Sequence, residues 1–277
     1  MIPFLKMHGL GNDFVIFDNR KGGMPALHME KIANRNFGIG CDQVIVLEKS
    51  DKADVFMRIF NADGSEARSC GNASRCVAAF LRSEKPGARK IKSFTIETLA
   101  GVIEAWVEGD GQVTVNMGAP GLEWSAIPLA QKADTLHLKI SAGALADPVA
   151  VSMGNPHMVF FVPDAAAVPL GKLGAELEAH PLFPEHANVG VAQVDAKDHI
   201  TLRVYERGAG LTFACGTGAC AALVAAHRRG LAGRKARVAL PGGVLHIEWR
   251  EEDNAVLMTG PATLSFKGEL AAEEYRP

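Results

Sequence analysis

Several features that mark particular protein classes are scarce or missing in this sequence. Aromatic residues make up 6% of the chain, and the formal net charge is -2. We therefore expect neither a base-stacking surface nor a basic patch for nucleic acid or anionic lipid. No apolar run approaches the roughly 18 residues that cross a bilayer. The first residues, MIPFLKMHGLGNDF, lack the pattern of a secretory signal. These absences predict no nucleic-acid partner and no membrane partner.

Cysteine is also scarce, with five in 277 residues. An odd number spread over a long chain does not predict a disulfide framework, so we expect free thiols in a reducing cytoplasm. The sequence shows no metal-ligand cluster, and neither DGSEARSCGN nor GAGLTFACGTG contains the Lys of a phosphate-binding loop. We expect no metal and no nucleotide cofactor.

What the sequence does contain is an internal duplication. The segment MRIFNADGSEARSCGN, ending at Asn72, aligns without a gap with LRVYERGAGLTFACGT, ending at Thr217. Three more pairs keep the same order about 145 residues apart: GNDFVIF with GNPHMVFF, AGVIEAW with GGVLHIEW, and VTVNMGAP with AVLMTGPA. Repeat arrays have periods of roughly 20–50 residues, so this longer spacing predicts two copies of one domain. We place the first at residues 1–118, completed by 263–277, and the second at 119–262.

Each copy combines several predicted strands with one strong helix. Alternating apolar and polar residues predict strands at DVFMRIF, FTIET and GVIEAWVE, and at HITLRVYE, RVALPG and GVLHIEW in the second copy. A helix follows each Cys-Gly pair, one ending at Pro86-Gly87 and the other at Gly230. The predicted fold class is α/β (α+β). It has two pseudo-symmetric domains, each a curved, mostly antiparallel sheet wrapped round a central helix.

Cys70 and Cys215 occupy the predicted N-termini of these helices, at matching places in the repeat. The exposed N–H groups and the helix dipole lower the pKa of a cysteine there and bind carboxylates. If the domains pack about a pseudo-two-fold axis, both thiols would face one interdomain cleft. That arrangement suits removal of a proton from one face of a carbon and its return to the other, with one thiolate as base and one thiol as acid.

Other roles for the cysteines must be compared with this one. Most free cysteines are small core residues, and we keep that interpretation for Cys41, Cys76 and Cys220. The repeat position, the helix start and the adjacent small residues favour a functional role for Cys70 and Cys215. A redox dithiol is a weaker hypothesis, because neither of the two lies in a Cys-x-x-Cys motif.

Five segments resemble the hallmarks of the diaminopimelate epimerase family, in the expected order over nearly the whole chain: MHGLGNDFVIFD, FNADGSEARSCGNASRC, GNPH, NVGV and ERGAGLTFACGTGACAA. The resemblance implies an isomerase, independent of pyridoxal phosphate, that interconverts LL- and meso-diaminopimelate in bacterial lysine and peptidoglycan synthesis. It also implies an active site between two similar domains, no cofactor, a cytoplasmic location and a homodimer. The chain departs from the family pattern at Ala73-Ser74, where Gly and Ala are usual, and at Leu211, which replaces a Glu.

The resemblance also assigns roles to individual residues. Cys70 and Cys215 would be the acid/base pair. Backbone N–H groups would hold the reacting α-carboxylate around Gly71, Asn72, Gly216 and Thr217. Polar side chains would recognise substrate, several at its distal centre: Asn12, Asn61, Asn155, Asn188, Glu206 and Arg207. Gln43 and His157 would line the site. A distal zwitterion needs an acid for its ammonium group and a base for its carboxylate, and Glu206-Arg207 supplies both.

Two alternative functions remain open from the sequence. The first is a racemase or epimerase for another amino acid, of histidine or proline type, with the same two thiols. Retention of Glu206, Arg207 and the Asn set favours a substrate with a second polar centre. The second is a binding protein on the same scaffold, which the presence of two thiols disfavours because binding alone does not require them.

Overall fold

The computed structural model describes residues 1–84, 93–109 and 111–277. It divides into two compact units. The first unit contains Met1–Val115 and Gly260–Pro277, and the second contains Asn116–Thr259. The first unit is therefore built from both ends of the chain.

In its described residues the first unit is mainly strands, with two α-helices between them. Its elements are β1 (Ile2–Gly9), β2 (Asn12–Asp18), α1 (Met29–Ala33), β3 (Gln43–Glu48), β4 (Val55–Asn61), β5 (Glu66–Ala67), α2 (Gly71–Ser83), β6 (Ser93–Thr98), β7 (Gly101–Val107) and β8 (Val113–Asn116).

The second unit begins with a short hairpin and then repeats this element order. Its elements are β9 (Ser141–Ala142), β10 (Leu145–Ala146), β11 (Val149–Ser152), β12 (Pro156–Phe161), α3 (Leu170–Glu178), β13 (Asn188–Ala196), β14 (His199–Glu206), β15 (Gly210–Leu211), α4 (Gly216–Arg228), β16 (Lys235–Leu240), β17 (Gly243–Trp249) and β18 (Val256–Gly260). The chain then returns to the first unit with β19 (Thr263–Leu270) and a 3-10 turn (Ala272–Tyr275).

Strand pairing in the first unit is mostly antiparallel. β1 pairs with β2, β3 with β4, β6 with β7 and β7 with β8, all antiparallel. The two parallel pairs, β2 with β3 and β4 with β6, are those whose connections contain α1 and α2, as parallel crossovers require. β19 pairs antiparallel with β1, with Leu270 opposite Ile2, so the C-terminal segment completes this sheet.

The second unit repeats these pairings strand for strand. β11 and β12 are antiparallel, β12 and β13 parallel, β13 and β14 antiparallel, and β14 and β16 parallel. β16, β17 and β18 follow in antiparallel order. The predicted fold class is therefore confirmed, with the duplication seen in the sequence repeated in the topology.

The helix that follows each cysteine is the core element of its unit. In α4 every residue from Ala219 to Ala226 is buried, and the helix contacts strands β11 to β14, β16 and β17. A helix that is apolar on all sides is buried on all sides, and small residues let strands approach its backbone. α2 contacts β1, β6 and β7 in the same way. Among the described residues, no helix is long and apolar enough to cross a membrane.

The two helices end close to where the sequence predicts. α4 ends at Arg228, and Gly230 follows with φ +70° and donates its N–H to the His227 carbonyl at 2.9 Å. This is the left-handed residue that commonly terminates a helix. α2 ends at Ser83, while the predicted terminator Pro86-Gly87 lies outside the described residues.

Enclosure of α4 gives a test of the fold. Ala222 is fully buried, so Ala222→Leu forces three additional carbons into a packed core. We expect a loss of about 1–3 kcal/mol in the free energy of unfolding, measured in urea. Ala175→Leu on α3 makes the same change at an exposed helix position and is the control. Equal stability of the two variants would contradict an enclosed α4.

Candidate active site

In the first unit the strand order gathers three polar side chains at one edge of the sheet. Asn12 begins β2, Gln43 begins β3 and Asn61 ends β4. Since β2 and β3 are parallel and β4 runs the other way, these ends meet at the same edge. Gln43 is directly opposite Asn61, and its Nε2 donates to Asn61 Oδ1 at 2.9 Å. Within the described residues, the buried Gln43 Oε1 accepts no hydrogen bond, so a donor on a ligand would satisfy it.

Cys70 is the N-cap of α2 in this unit. Its backbone is extended, with φ -152° and ψ 111°, and the Ala73 N–H donates to its sulfur at 3.5 Å. The Ser74 N–H and hydroxyl both donate to the Cys70 carbonyl at 3.0 Å. The thiol is half-buried. It therefore lies at the end of the helix where negative charge is favoured, and Ser74, one of the departures from the family pattern, secures the turn that holds it.

Asn12 and Asn72 are in direct contact. The Asn72 Nδ2 group donates to Asn12 Oδ1 at 3.0 Å, which links the start of β2 to the first turn of α2. The N–H groups of a first helical turn have no intrahelical acceptor. The first unit thus places backbone donors, two asparagine amides and a thiol side by side.

The second unit arranges its residues at the corresponding positions. Asn155 immediately precedes β12, Asn188 begins β13, Glu206 ends β14 and Cys215 is the N-cap of α4, with φ -111° and ψ 104°. His157 lies opposite Asn188 in the parallel pair β12–β13. The same topology therefore brings this second polar set to one edge.

Cys215 differs from Cys70 in burial and charge. It is 2% exposed, and a Cβ on Gly218 would lie 3.1 Å from its sulfur, so glycine makes room for the thiol. Burial and the Glu206 carboxylate, which is also a hydrogen-bond partner, raise the pKa of the Cys215 thiol well above its usual range. The prediction that the helix N-terminus lowers the pKa was wrong for Cys215, because desolvation of a buried thiolate and a nearby negative charge outweigh the dipole.

A hydrogen-bonded chain connects a buried histidine to this thiol. Burial and the charge of Arg207 lower the pKa of His157 to about 3, so the ring is neutral. Its Nε2 lies 3.0 Å from Asn155 Oδ1 and must carry the proton, since that oxygen only accepts. Asn155 Nδ2 then donates to Thr217 Oγ1 at 3.4 Å, and Thr217 Oγ1 is 3.7 Å from the Cys215 sulfur.

Glu206 and Arg207 have separate partners in this structure. Glu206 accepts a hydrogen bond from the Thr212 hydroxyl and lies beside the Cys215 thiol. Arg207 is exposed. Its Nη1 donates to the Glu185 carbonyl at 2.7 Å, and its backbone N–H donates to Asn188 Oδ1 at 3.0 Å.

The Asn188 amide bonds to the backbone through both its oxygen and its nitrogen. Besides accepting from Arg207, it donates through Nδ2 to the Pro156 carbonyl at 3.0 Å. This buried side chain therefore ties β12 to the end of β14. It positions Arg207 in addition to the substrate role predicted for it.

The replacement at Leu211 has a local explanation. In the first unit the matching residue, Glu66, accepts from Arg58 Nε at 2.8 Å across β4 and β5. In the second unit the residue that matches Arg58 is Arg203, whose Nη1 donates at 2.9 and 2.8 Å to the carbonyls of Ala165 and Val168. Because Arg203 has these backbone acceptors, no carboxylate is needed at residue 211.

The sequence profile of the family described as diaminopimelate epimerase matches residues 4–123 and 149–265. This chain belongs to that family. The diaminopimelate epimerase of Acidiphilium cryptum is 54% identical over 278 residues, covering 99% of this chain and 98% of that protein. The diaminopimelate epimerase of Rhodospirillum centenum is 53% identical, covering 97% of this chain and 92% of that protein.

A solved structure shows the same fold at low sequence identity. The probable proline racemase from Agrobacterium radiobacter K84 matches with a TM-score of 0.69 at 19% identity, covering 100% of this chain and 95% of that one. At this identity the likeness concerns the fold only. The diaminopimelate epimerase family therefore shares its architecture with other proteins.

The raised pKa of Cys215 is testable with the other four thiols removed. In a variant that carries Cys70→Ser together with Ala at Cys41, Cys76 and Cys220, we expect thiolate ultraviolet absorbance of Cys215 to appear only well above pH 9. Glu206→Gln removes the neighbouring negative charge, so the midpoint should move to lower pH. Glu185→Gln, at an exposed residue of the same unit, is the control. A midpoint unchanged by Glu206→Gln would show that this carboxylate does not act on the thiol.

The neutral His157 predicts a pH dependence of stability. In the unfolded chain the histidine binds a proton below its ordinary pKa of 6.5, whereas in the folded protein it does so only near pH 3. Stability should therefore fall as pH decreases from 6.5 towards 3, by at most about 1.4 kcal/mol per pH unit. We expect His157→Gln to flatten this slope in urea unfolding. Val159→Ala, at a buried position of the same strand, changes no titratable group and should lower stability without changing the slope. Parallel slopes for all three proteins would mean that His157 is protonated in the folded state.

Proposed function

We propose that this chain is a diaminopimelate epimerase that interconverts LL- and meso-diaminopimelate by exchanging the α-proton between two cysteines. One observation carries the mechanism. Each unit places a cysteine at the N-cap of its enclosed helix, beside amide side chains at one sheet edge. Family membership supports the substrate, and this duplicated geometry supports the two-thiol chemistry.

The unequal environments of the thiols support different starting roles for them. Cys215 enters the reaction as the acid, because burial and Glu206 keep it protonated. Cys70 enters as the base, at the helix end with the Ala73 N–H at 3.5 Å. The Cys70 thiolate takes the α-proton, the electron pair stays on the α-carbon, and the Cys215 thiol protonates that carbon from the opposite face. The reverse reaction begins with the roles exchanged, so the mechanism requires both sulfurs to reach one α-carbon.

Substrate recognition follows from the groups at the two sheet edges. First-turn N–H groups at Gly71, Asn72, Gly216 and Thr217 bind the α-carboxylate without a basic side chain. The buried Gln43 Oε1 suits an ammonium donor, and the exposed Arg207 guanidinium suits the distal carboxylate. Amide groups complete the recognition set at Asn12, Asn61, Asn155 and Asn188.

The proposal includes three further properties from the family resemblance. The reaction uses no pyridoxal phosphate, since both bases belong to the chain. The enzyme works in the cytoplasm, where free thiols persist. It forms a homodimer, and two large apolar side chains on β19, Leu264 and Phe266, are 46% and 50% exposed and available to a second copy.

Solvent exchange tests the reaction directly. In deuterium oxide without added cofactor, we expect the protein to incorporate deuterium at the α-carbon of LL-diaminopimelate, as measured by proton NMR and mass spectrometry. Cys70→Ala and Cys215→Ala should each lower the epimerisation rate by at least about 1000-fold, because each removes an obligatory acid or base. Cys76→Ala, at a buried core thiol, is the control and should retain activity. Exchange into proline or histidine instead would show that the substrate is another amino acid. Binding of diaminopimelate without exchange would refute the enzymatic proposal.

A further inference from the structure

Arg75 is a fully buried charged residue that the mechanism above does not use. It lies on α2, one turn after Cys70. Burial of a guanidinium group is costly unless it is hydrogen-bonded. Its Nη1 donates to Asn72 Oδ1 at 2.8 Å, and its Nε lies 3.3 Å from the Pro261 carbonyl. Gly9 at the end of β1 makes room for it, because a Cβ there would lie 2.7 Å from Nη2. The surroundings of Arg75 are therefore built to hold its charge against Asn72.

Arg75 is one end of a chain of hydrogen bonds with a fixed direction. Arg75 donates to Asn72, Asn72 donates to Asn12, and Asn12 Nδ2 donates to Asp42 Oδ2 at 2.8 Å. A guanidinium can only donate and a carboxylate can only accept. Because these two groups stand at the ends, each asparagine amide between them must turn its oxygen towards Arg75 and its nitrogen towards Asp42.

The Asp42 end is itself anchored. Arg35 Nη2 donates to Asp42 Oδ1 at 2.8 Å, and the Asp13 backbone N–H donates to Asp42 Oδ2 at 3.1 Å. Asp42 immediately precedes β3, so the loop before that strand and the start of β2 fix the position of the carboxylate. Both ends of the chain are thus held by groups other than the asparagines.

The second unit lacks this arrangement although it has the same fold. Cys220 stands at the helix position that matches Arg75, five residues after the N-cap cysteine, and Ala187 precedes β13 where Asp42 precedes β3. Both are buried apolar residues. Folding of the repeated unit therefore does not require the charged pair, and its presence in the first unit needs another reason.

We propose that Arg75 and Asp42 are positioning residues that fix the amide orientations of Asn72 and Asn12 for substrate. The inference rests on the proposed function, which places both asparagines in the substrate site. Neither Arg75 nor Asp42 contacts substrate. Together they decide that Asn12 presents its oxygen towards α2 and its nitrogen towards β3, so a ligand meets a preorganised amide and not one that must turn.

Asp42→Ala is the main test, because the Asp42 side chain is 43% exposed and the variant should fold. We expect the KM for LL-diaminopimelate to rise about tenfold, the effect of one orienting hydrogen bond, with kcat changed less than about threefold. Arg75→Met should give a loss of similar size in kcat/KM, partly restored by Arg75→Lys. The double variant should lose less than the product of the single losses, because both residues act through the same amides.

Asp51→Ala is the matched control. It makes the same substitution at an exposed aspartate of the first unit that is not part of this chain of hydrogen bonds, so KM should stay within about twofold. A readout independent of activity is the side-chain amide signals of Asn12 and Asn72 in ¹⁵N NMR, which should shift in Asp42→Ala and not in Asp51→Ala.

The outcomes separate this inference from the proposed function. An active wild-type enzyme with unchanged KM in Asp42→Ala and multiplicative losses in the double variant would overturn the positioning role. A wild-type protein without epimerase activity would refute the proposed function, while the amide signals would still report whether Asp42 orients Asn12. If Arg75→Met fails to fold, Asp42→Ala and Asp42→Asn decide the question, with Asn expected to be intermediate because its oxygen can still accept.

Discussion

Enclosure of a helix by its own sheet is the constraint on which each unit depends. Small residues along α4 let six strands contact it. Because the sheet surrounds the helix, the first turn of the helix lies at the edge of the sheet, where strands also begin and end. The N-cap cysteine therefore lies beside the strand termini that carry Asn155, Asn188 and Glu206. One packing arrangement thus supplies backbone N–H donors, a thiol and polar side chains in the same place. The same enclosure buries Cys215, so the feature that positions the thiol also raises its pKa.

Duplication gives two equivalent thiols, and divergence makes them unequal. Proton transfer across a carbon needs one acid and one base at the same moment. Asn61 and Glu206 occupy matching strand ends, yet the neutral amide bonds to Gln43 while the carboxylate lies beside Cys215. A single change from amide to carboxylate at a repeated position therefore favours the protonated form of one thiol only. The duplicated fold gives the two cysteines equivalent positions, and a few side chains at the edge of each sheet make their environments different.

The sequence predicted the architecture better than the chemistry of individual groups. A gapless alignment around the two cysteines was enough to predict the duplicated topology, because strand and helix patterns are local. It could not predict the pKa of Cys215, which depends on burial and on Glu206 nine residues earlier in the chain. Nor did it single out Arg75, since a charged residue in a helix is usually solvated and only the sheet around α2 makes it buried. In both cases the sequence does not show which residues pack around the group in the folded protein.

Both units fix the orientation of asparagine amides near their cysteine, but they use different neighbouring groups to do so. An asparagine can present either its oxygen or its nitrogen to a ligand unless a neighbour has a single hydrogen-bonding role. Arg75 and Asp42 provide such neighbours through their charge, at the two ends of one chain. In the second unit a neutral His157 does so through its tautomer, because its Nε2–H can only donate to Asn155. His157 is linked to the Cys215 sulfur through Asn155 and Thr217. A neutral ring therefore orients the Asn155 amide without adding a charge to the chain of contacts that ends at this thiol.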